Sequence, residues 1–153
     1  MKLINLPLFF LSLLLGSGLA VSGDQNVKVE TEIEILAEGL DHPWSLTFIS
    51  DEEMLVTELS GNLRRVANGL SDPTPIAGVP EVLFAGQGGL SEILVDPNFA
   101  DNGFIYLSFS APDADQPKLN RLNVIQARLE GNVLVDHKTL FQSHPPRRTA
   151  AHY

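Results

Sequence analysis

A glutamine set among glycines is the part of this sequence best suited to hold a ligand, in the run Ala85-Gly86-Gln87-Gly88-Gly89-Leu90. Glycine has no Cβ, so the backbone around Gln87 can turn sharply and approach a ligand closely. The apolar run Leu90–Val95 predicts a short buried strand, which would hold Gln87 at a fixed place. The alternative is that Gln87 is a turn residue whose side chain only satisfies a neighbouring backbone group.

The strands expected to position Gln87 belong to a pattern that occurs twice. The first pass predicts strands at residues 44–49, 54–58 and 63–66 and an outer strand near Val82 and Leu83. The second pass predicts strands at residues 90–95, 104–110, 121–129 and 133–141. An edge strand is also expected at residues 33–37, where apolar residues alternate with glutamates.

Four-stranded meanders repeated every 40 to 50 residues or so are typical of β-propeller blades. The sequence therefore predicts an all-β fold with about two blades, and a β-sandwich is the alternative. Closed propellers need at least four blades, so residues 24–153 are expected to be the N-terminal part of a longer propeller domain that stops at the start of a third blade.

In a propeller, the first strand of each blade lines the central channel, so residues just before those strands lie together near the axis. Three segments have this position: His42-Pro43-Trp44, Gly86-Gln87-Gly88 and Ala151-His152-Tyr153. We therefore expect Gln87 and His152 to face one axial cavity. Trp44 is expected in the core or on the channel wall, and His42 is expected to cap a turn.

The first 23 residues predict a secretory signal peptide. Lys2 supplies a positive charge, residues 6–15 form an apolar core, and Gly18-Leu19-Ala20 offers small residues for cleavage. An uncleaved membrane anchor is the alternative, but the apolar stretch is shorter than the roughly 20 residues that a spanning helix needs. We therefore expect a periplasmic or secreted protein with no stable membrane insertion after cleavage.

Composition limits the partners of the chain. It is 44% hydrophobic and 19% charged, as in ordinary globular proteins. The net charge of −9 argues against nucleic acid, which requires basic surfaces. The chain has no cysteine, so no disulfide stabilises it. His137 and His144 are expected to be solvated.

Several stretches resemble the soluble quinoprotein sugar dehydrogenases, the glucose/sorbosone dehydrogenase-like family. In chain order they are His42-Pro43-Trp44, Met54-Leu55-Val56-Thr57-Glu58, Gly61-Asn62-Leu63-Arg64, Ala77-Gly78-Val79-Pro80-Glu81-Val82, Gly86-Gln87-Gly88-Gly89-Leu90, Asp96-Pro97-Asn98-Phe99-Ala100, Ile105-Tyr106-Leu107-Ser108 and Phe141-Gln142. The sequence departs from the family pattern at Ser91-Glu92, where leucine and aspartate are more usual, and at Asp96, where histidine is common.

The resemblance implies a six-bladed propeller that binds pyrroloquinoline quinone at the top of its channel, with calcium beside it. An aldose sugar would lose a hydride to the quinone while a histidine takes its hydroxyl proton. By motif position, His152 would be that base and Gln87 a cofactor contact. The calcium ligands and the remaining quinone contacts would lie beyond Tyr153, and the chain alone would be inactive.

The resemblance leaves other functions open. A non-catalytic exported propeller that binds carbohydrate or protein is the main alternative, and a propeller lactonase would need an acidic metal cluster on the axis. The sequence contains no phosphate-binding loop, no dinucleotide-binding fingerprint and no nucleophile elbow. The sugar, the electron acceptor and the oligomeric state are not specified.

Overall fold

The computed structural model describes residues 31–148. The described residues divide after Ile33 into two units, residues 31–33 and residues 34–148. In the first unit, residues 31–33 have no regular secondary structure. The predicted signal peptide and His152 lie outside the described residues.

Residues 34–148 contain two four-stranded antiparallel sheets. The first sheet has the order β1-β2-β3-β4, and the second has the order β5-β6-β7-β8. The strands of the first sheet are β1 Pro43–Phe48, β2 Glu53–Glu58, β3 Leu63–Ala67 and β4 Leu70–Ser71. The strands of the second are β5 Leu90–Val95, β6 Phe104–Pro112, β7 Asn120–Glu130 and β8 Val133–Gln142. The predicted all-β architecture of two consecutive meanders is confirmed.

The main core lies between the two sheets. Alternation along β6 buries Ile105, Leu107 and Phe109 on the face turned toward the first sheet, as expected for a strand with one buried face. Leu55 and Leu63 meet them from the first sheet, and both are fully buried. Burial of this apolar surface on both sides is the main force that holds the two sheets together.

The fourth strand of the first sheet differs from the prediction. The structure places it at β4, directly after β3, because Asn68 and Gly69 form a tight turn with φ values of 50° and 76°. Asn-Gly favours this turn because both central residues need positive φ. Val82 and Leu83 form no strand: Val82 packs on Gly61, and the Leu83 N–H bonds the Ser110 carbonyl at 2.7 Å.

The edge strand predicted at residues 33–37 is also absent. Residues 31–40 have no regular secondary structure, and Ile35 is 73% exposed. Ala37 and Leu40 instead pack against Met54, Val56 and Val66 on the outer face of the first sheet. The alternating pattern failed as a predictor here because no strand among residues 31–148 pairs with this segment.

The loop between β5 and β6 contains a four-residue helix, α1, at Phe99–Asn102. Asp96 accepts hydrogen bonds from the Asn102 side chain at 2.9 Å, the Asn98 N–H at 2.9 Å and the Tyr106 hydroxyl at 2.7 Å. These three donors hold the pKa of Asp96 below its ordinary value. No helix in residues 31–148 is long and apolar enough to cross a membrane.

Candidate functional site

The candidate site lies where β1 and β5 begin. Ser45 Oγ donates to Glu92 at 3.0 Å, and Trp44 Nε1 donates to the same carboxylate at 3.1 Å. Near the starts of the strands, the Leu59 N–H donates to the His42 carbonyl, and the Leu59 carbonyl accepts the Leu90 N–H. The order of these contacts shows that β1 and β5 lie side by side and run in the same direction, so the loops that lead into them meet at one end.

Gln87 occupies a two-residue hairpin in the second of these loops. The N–H of Gly88 bonds the Ala85 carbonyl at 2.9 Å, and the N–H of Ala85 bonds the Gly88 carbonyl at 3.3 Å. Gly86 has φ +60°, the sign that a type II′ turn requires at its first central position. The Gln87 side chain is exposed and makes no hydrogen bond with any residue of the described range 31–148. Its carboxamide is therefore available to a ligand.

Gly89 is required for contact between the sheets. A Cβ on Gly89 would lie 2.4 Å from the Leu59 carbonyl oxygen and 2.9 Å from Leu59 Cδ2. The glycines around Gln87 were predicted to allow close approach to a ligand. At Gly89 the close neighbour is instead the backbone of the first sheet, which fixes the second loop against the β2–β3 turn.

The loop before β1 presents a histidine. His42 has φ +50°, its Nδ1 lies 2.5 Å from Asp41 Oδ1, and its ring packs on Phe84 with the centroids 5.6 Å apart. Phe84 lies three residues before Gln87. The structure thus brings together the first two of the three predicted channel-facing segments. The third contains His152, and its placement stays a prediction.

Glu58, the last residue of the Met54–Glu58 motif, is a buried carboxylate beneath these loops, and the sequence predicted no role for its side chain. It accepts hydrogen bonds from the Asp41 N–H at 2.8 Å, from Asn62 Nδ2 at 2.9 Å and from Arg64 Nε at 3.1 Å. Burial raises the pKa of Glu58, but these donors and the Arg64 charge outweigh burial and bring the pKa below its ordinary value. Glu58 is therefore ionised at neutral pH.

Trp44 does not belong to the core, which was one of its two predicted positions. It is 54% exposed, and its indole N–H is used in the hydrogen bond to Glu92. Glu92 is one of the residues that depart from the family pattern, and its carboxylate joins β5 to β1. His137 and His144 are exposed, as predicted.

The segment that leads toward His152 is held by the second sheet. The Arg147 carbonyl accepts the Asn120 N–H at 2.7 Å, and the Arg147 N–H bonds the Asn120 carbonyl at 2.9 Å. The Arg121 guanidinium pairs with Asp113 and also donates to the Ser143 carbonyl at 2.8 Å. The backbone is thus fixed as far as five residues before His152.

The described residues offer a contact for an organic ligand but not a metal site. The exposed, unpartnered Gln87 carboxamide fits a quinone oxygen, since it can donate a hydrogen bond without changing its charge. Within residues 31–148, no three His, Asp or Glu side chains lie close enough together to hold a metal ion. The calcium ligands implied by the resemblance do not form such a cluster in this part of the chain.

Known proteins are similar to this chain in sequence and fold. The family model described as Glucose / Sorbosone dehydrogenase matches residues 40–153. The aldose sugar dehydrogenase YliI of Escherichia coli is 34% identical over 122 residues, which cover 79% of this chain and 33% of that protein.

Two solved structures of sugar dehydrogenases are similar to this chain in fold. The soluble aldose sugar dehydrogenase of Escherichia coli in its apo form is 36% identical with a TM-score of 0.67, over 74% of this chain and 33% of that one. The PQQ-bound aldose sugar dehydrogenase of Streptomyces coelicolor is 25% identical with a TM-score of 0.61, over 74% of this chain and 34% of that one.

The chain spans about a third of the length of these relatives. The structural neighbours confirm that the two sheets are blades of a β-propeller and not the halves of a sandwich. Both the family match and the identity to curated relatives agree with the resemblance found in the sequence. The chain belongs to the glucose/sorbosone dehydrogenase family.

Proposed function

We propose that the protein containing this chain oxidises aldose sugars with pyrroloquinoline quinone as its cofactor. The observation that carries the proposal is the exposed Gln87 carboxamide, which has no hydrogen-bond partner in residues 31–148 and lies at the start of a channel-lining strand. Family membership supports the sugar substrate, and a PQQ-bound relative supports the cofactor.

The roles of the chain's own residues follow from their chemistry. Gln87 donates an amide hydrogen to a cofactor oxygen and orients the ring. His152 accepts the proton of the sugar's anomeric hydroxyl as the hydride leaves the same carbon, because a neutral imidazole accepts protons near neutral pH. When bound, the quinone supplies a two-electron acceptor for that hydride. Calcium ligands are expected beyond Tyr153.

The organisation of the whole protein is also part of the proposal. Residues 1–23 direct export to the periplasm or the exterior, and residues 24–153 form the N-terminal part of a six-bladed propeller that continues beyond Tyr153. The chain spans a third of its relatives, which supports this continuation. The 153-residue chain by itself is then inactive. Sugar-dependent dye reduction by the purified chain with quinone and calcium would contradict that statement.

Replacement of Gln87 tests the cofactor contact. In the protein expressed from its complete reading frame, Gln87→Ala is expected to weaken quinone affinity about 3- to 10-fold, the value of one hydrogen bond. Gln116→Ala is the matched control, because Gln116 is an exposed glutamine in the loop between β6 and β7. Quinone titration followed by protein fluorescence measures both affinities.

The same preparations separate the two functional classes. A dehydrogenase reduces a dye when sugar and quinone are added together and not when either is omitted. If the protein binds sugar but never reduces the dye, the non-catalytic binding propeller is correct. If Gln87→Ala binds quinone as tightly as Gln116→Ala and the unmodified protein do, Gln87 is not a cofactor contact.

A further inference from the structure

We infer that Glu58 is a positioning residue for the quinone site, acting through the β2–β3 turn on both loops that lead into the channel-lining strands. The inference rests on the proposed function for the identity of the ligand. We call residues 40–42 the first leading loop and residues 84–89 the second leading loop. Glu58 ends β2 and is fully buried beneath the place where they meet.

The first leading loop is held by two hydrogen bonds from this turn. The carboxylate of Glu58 accepts the Asp41 N–H at 2.8 Å, and the Leu59 N–H bonds the His42 carbonyl at 3.1 Å. His42 adopts φ +50°, a conformation that a residue with a Cβ rarely takes. Such a conformation persists only where the surrounding structure enforces it. Glu58 and Leu59 supply contacts on both sides of His42.

The second leading loop is held by the same turn. The carbonyl of Leu59 accepts the Leu90 N–H at 3.2 Å, and Gly89 packs so closely on this carbonyl that no side chain fits. The N–H of Leu59 therefore faces one loop and its carbonyl faces the other. A shift of this single residue moves the backbone on both sides of the site, including the hairpin that carries Gln87.

The chemistry of Glu58 explains why a carboxylate is needed. Its three partners, the Asp41 N–H, Asn62 Nδ2 and Arg64 Nε, are all donors. A carboxylate offers two acceptor oxygens to these donors, whereas a glutamine offers one oxygen and an NH₂ group that must point at a donor. Glu58→Gln therefore keeps the shape but leaves at least one donor without an acceptor, and the turn must rearrange.

Glu53 offers a matched control on the same strand. Glu53 begins β2 and pairs with Arg65 at 2.9 Å, while Glu58 ends β2 and pairs with Arg64. Glu53→Gln thus makes the same chemical change, with the same type of partner, at the end of β2 away from the leading loops. Both variants weaken an ion pair of the first sheet, so a loss of quinone affinity seen only in Glu58→Gln comes from its contacts with the loops.

The test uses the protein from its complete reading frame. Glu58→Gln is expected to weaken quinone affinity about 10-fold, as loss of a hydrogen bond to a charged group does, and to speed amide hydrogen exchange at Asp41, Leu59 and Leu90. Glu53→Gln is expected to leave both quantities unchanged. The rate of sugar oxidation at saturating quinone is expected to fall less than the affinity, because Glu58 touches no reacting atom.

Each outcome decides the inference. Normal exchange at Asp41, Leu59 and Leu90 in Glu58→Gln overturns it, as does an equal loss of affinity in Glu53→Gln. If the unmodified protein binds no quinone, the proposed function fails, while the exchange rates still decide whether Glu58 orders the loops. If Glu58→Gln does not fold, Glu58→Asp replaces it, because aspartate keeps the charge but is shorter by one methylene. In that variant, faster amide hydrogen exchange at Asp41 together with protected amides in β3 supports the inference.

Discussion

Replacing His152 with alanine is expected to lower kcat for sugar oxidation by about 10²- to 10⁴-fold, the usual contribution of a general base. In the proposed mechanism the His152 imidazole takes the hydroxyl proton as the hydride leaves, and an alanine at this position would leave only solvent to do so. Quinone affinity is expected to change little, since the proposed cofactor contact is Gln87. Stopped-flow measurement of cofactor reduction at saturating sugar separates this step from binding.

His137→Ala is the control for this prediction. His137 is exposed on β8, and its side chain makes no hydrogen bond within the described residues. It is expected to keep full activity. A proton acceptor must be neutral to act, so the acid limb of the kcat/KM profile is expected in the unmodified protein and absent from the residual activity of His152→Ala. If that variant retains its kcat, another group is the base.

Strand positions were predictable because burial here follows a simple period. Seven of the eight strands lie within two residues of the predicted segments, since alternating apolar residues place one face of each strand against the other sheet. The eighth, β4, was missed although Asn68-Gly69 is a strong hairpin signal. The apolar pair Val82 and Leu83 suggested a strand instead, but Val82 packs against the core without forming one.

The site was only partly predictable, because its supports come from distant parts of the chain. The Gly-Gln-Gly run is visible in the sequence, and a turn with an exposed glutamine follows from it. Burial of Glu58 requires that Asp41, Asn62 and Arg64 all direct donors at one point. No periodicity shows this, and a charged residue at a strand end ordinarily indicates solvent exposure.

The reason for Gly89 was equally hidden. From the sequence, all the glycines around Gln87 were predicted to let the backbone approach a ligand. In the structure, Gly86 supplies a positive φ and has open space beside it, whereas Gly89 is restricted by the Leu59 carbonyl. The difference depends on how the two sheets pack, which is a property of the whole core and not of the local run.

Gly89→Ala is therefore expected to reduce both stability and quinone binding. The new Cβ would lie 2.4 Å from a backbone oxygen, so the sheets must shift apart locally. Overpacking of this kind costs about 1–3 kcal/mol in the free energy of unfolding, and the upper end is expected because the opposing atom is backbone. The hairpin of Gln87 moves with Gly89, so quinone affinity is expected to fall more than 10-fold.

Gly131→Ala separates this close contact from ordinary glycine effects. Gly131 has φ +59° but nothing within 4 Å of the position of a Cβ, so alanine there brings backbone strain of about 1 kcal/mol without a clash. Urea unfolding of both variants measures the difference, and quinone titration shows whether binding follows. Gly131→Ala is expected to bind quinone normally, because the β7–β8 turn is remote in sequence and sheet position from Gln87. Equal stability losses in the two variants, with intact quinone binding in Gly89→Ala, would show that Leu59 can yield and that the two sheets do not fix the glutamine hairpin.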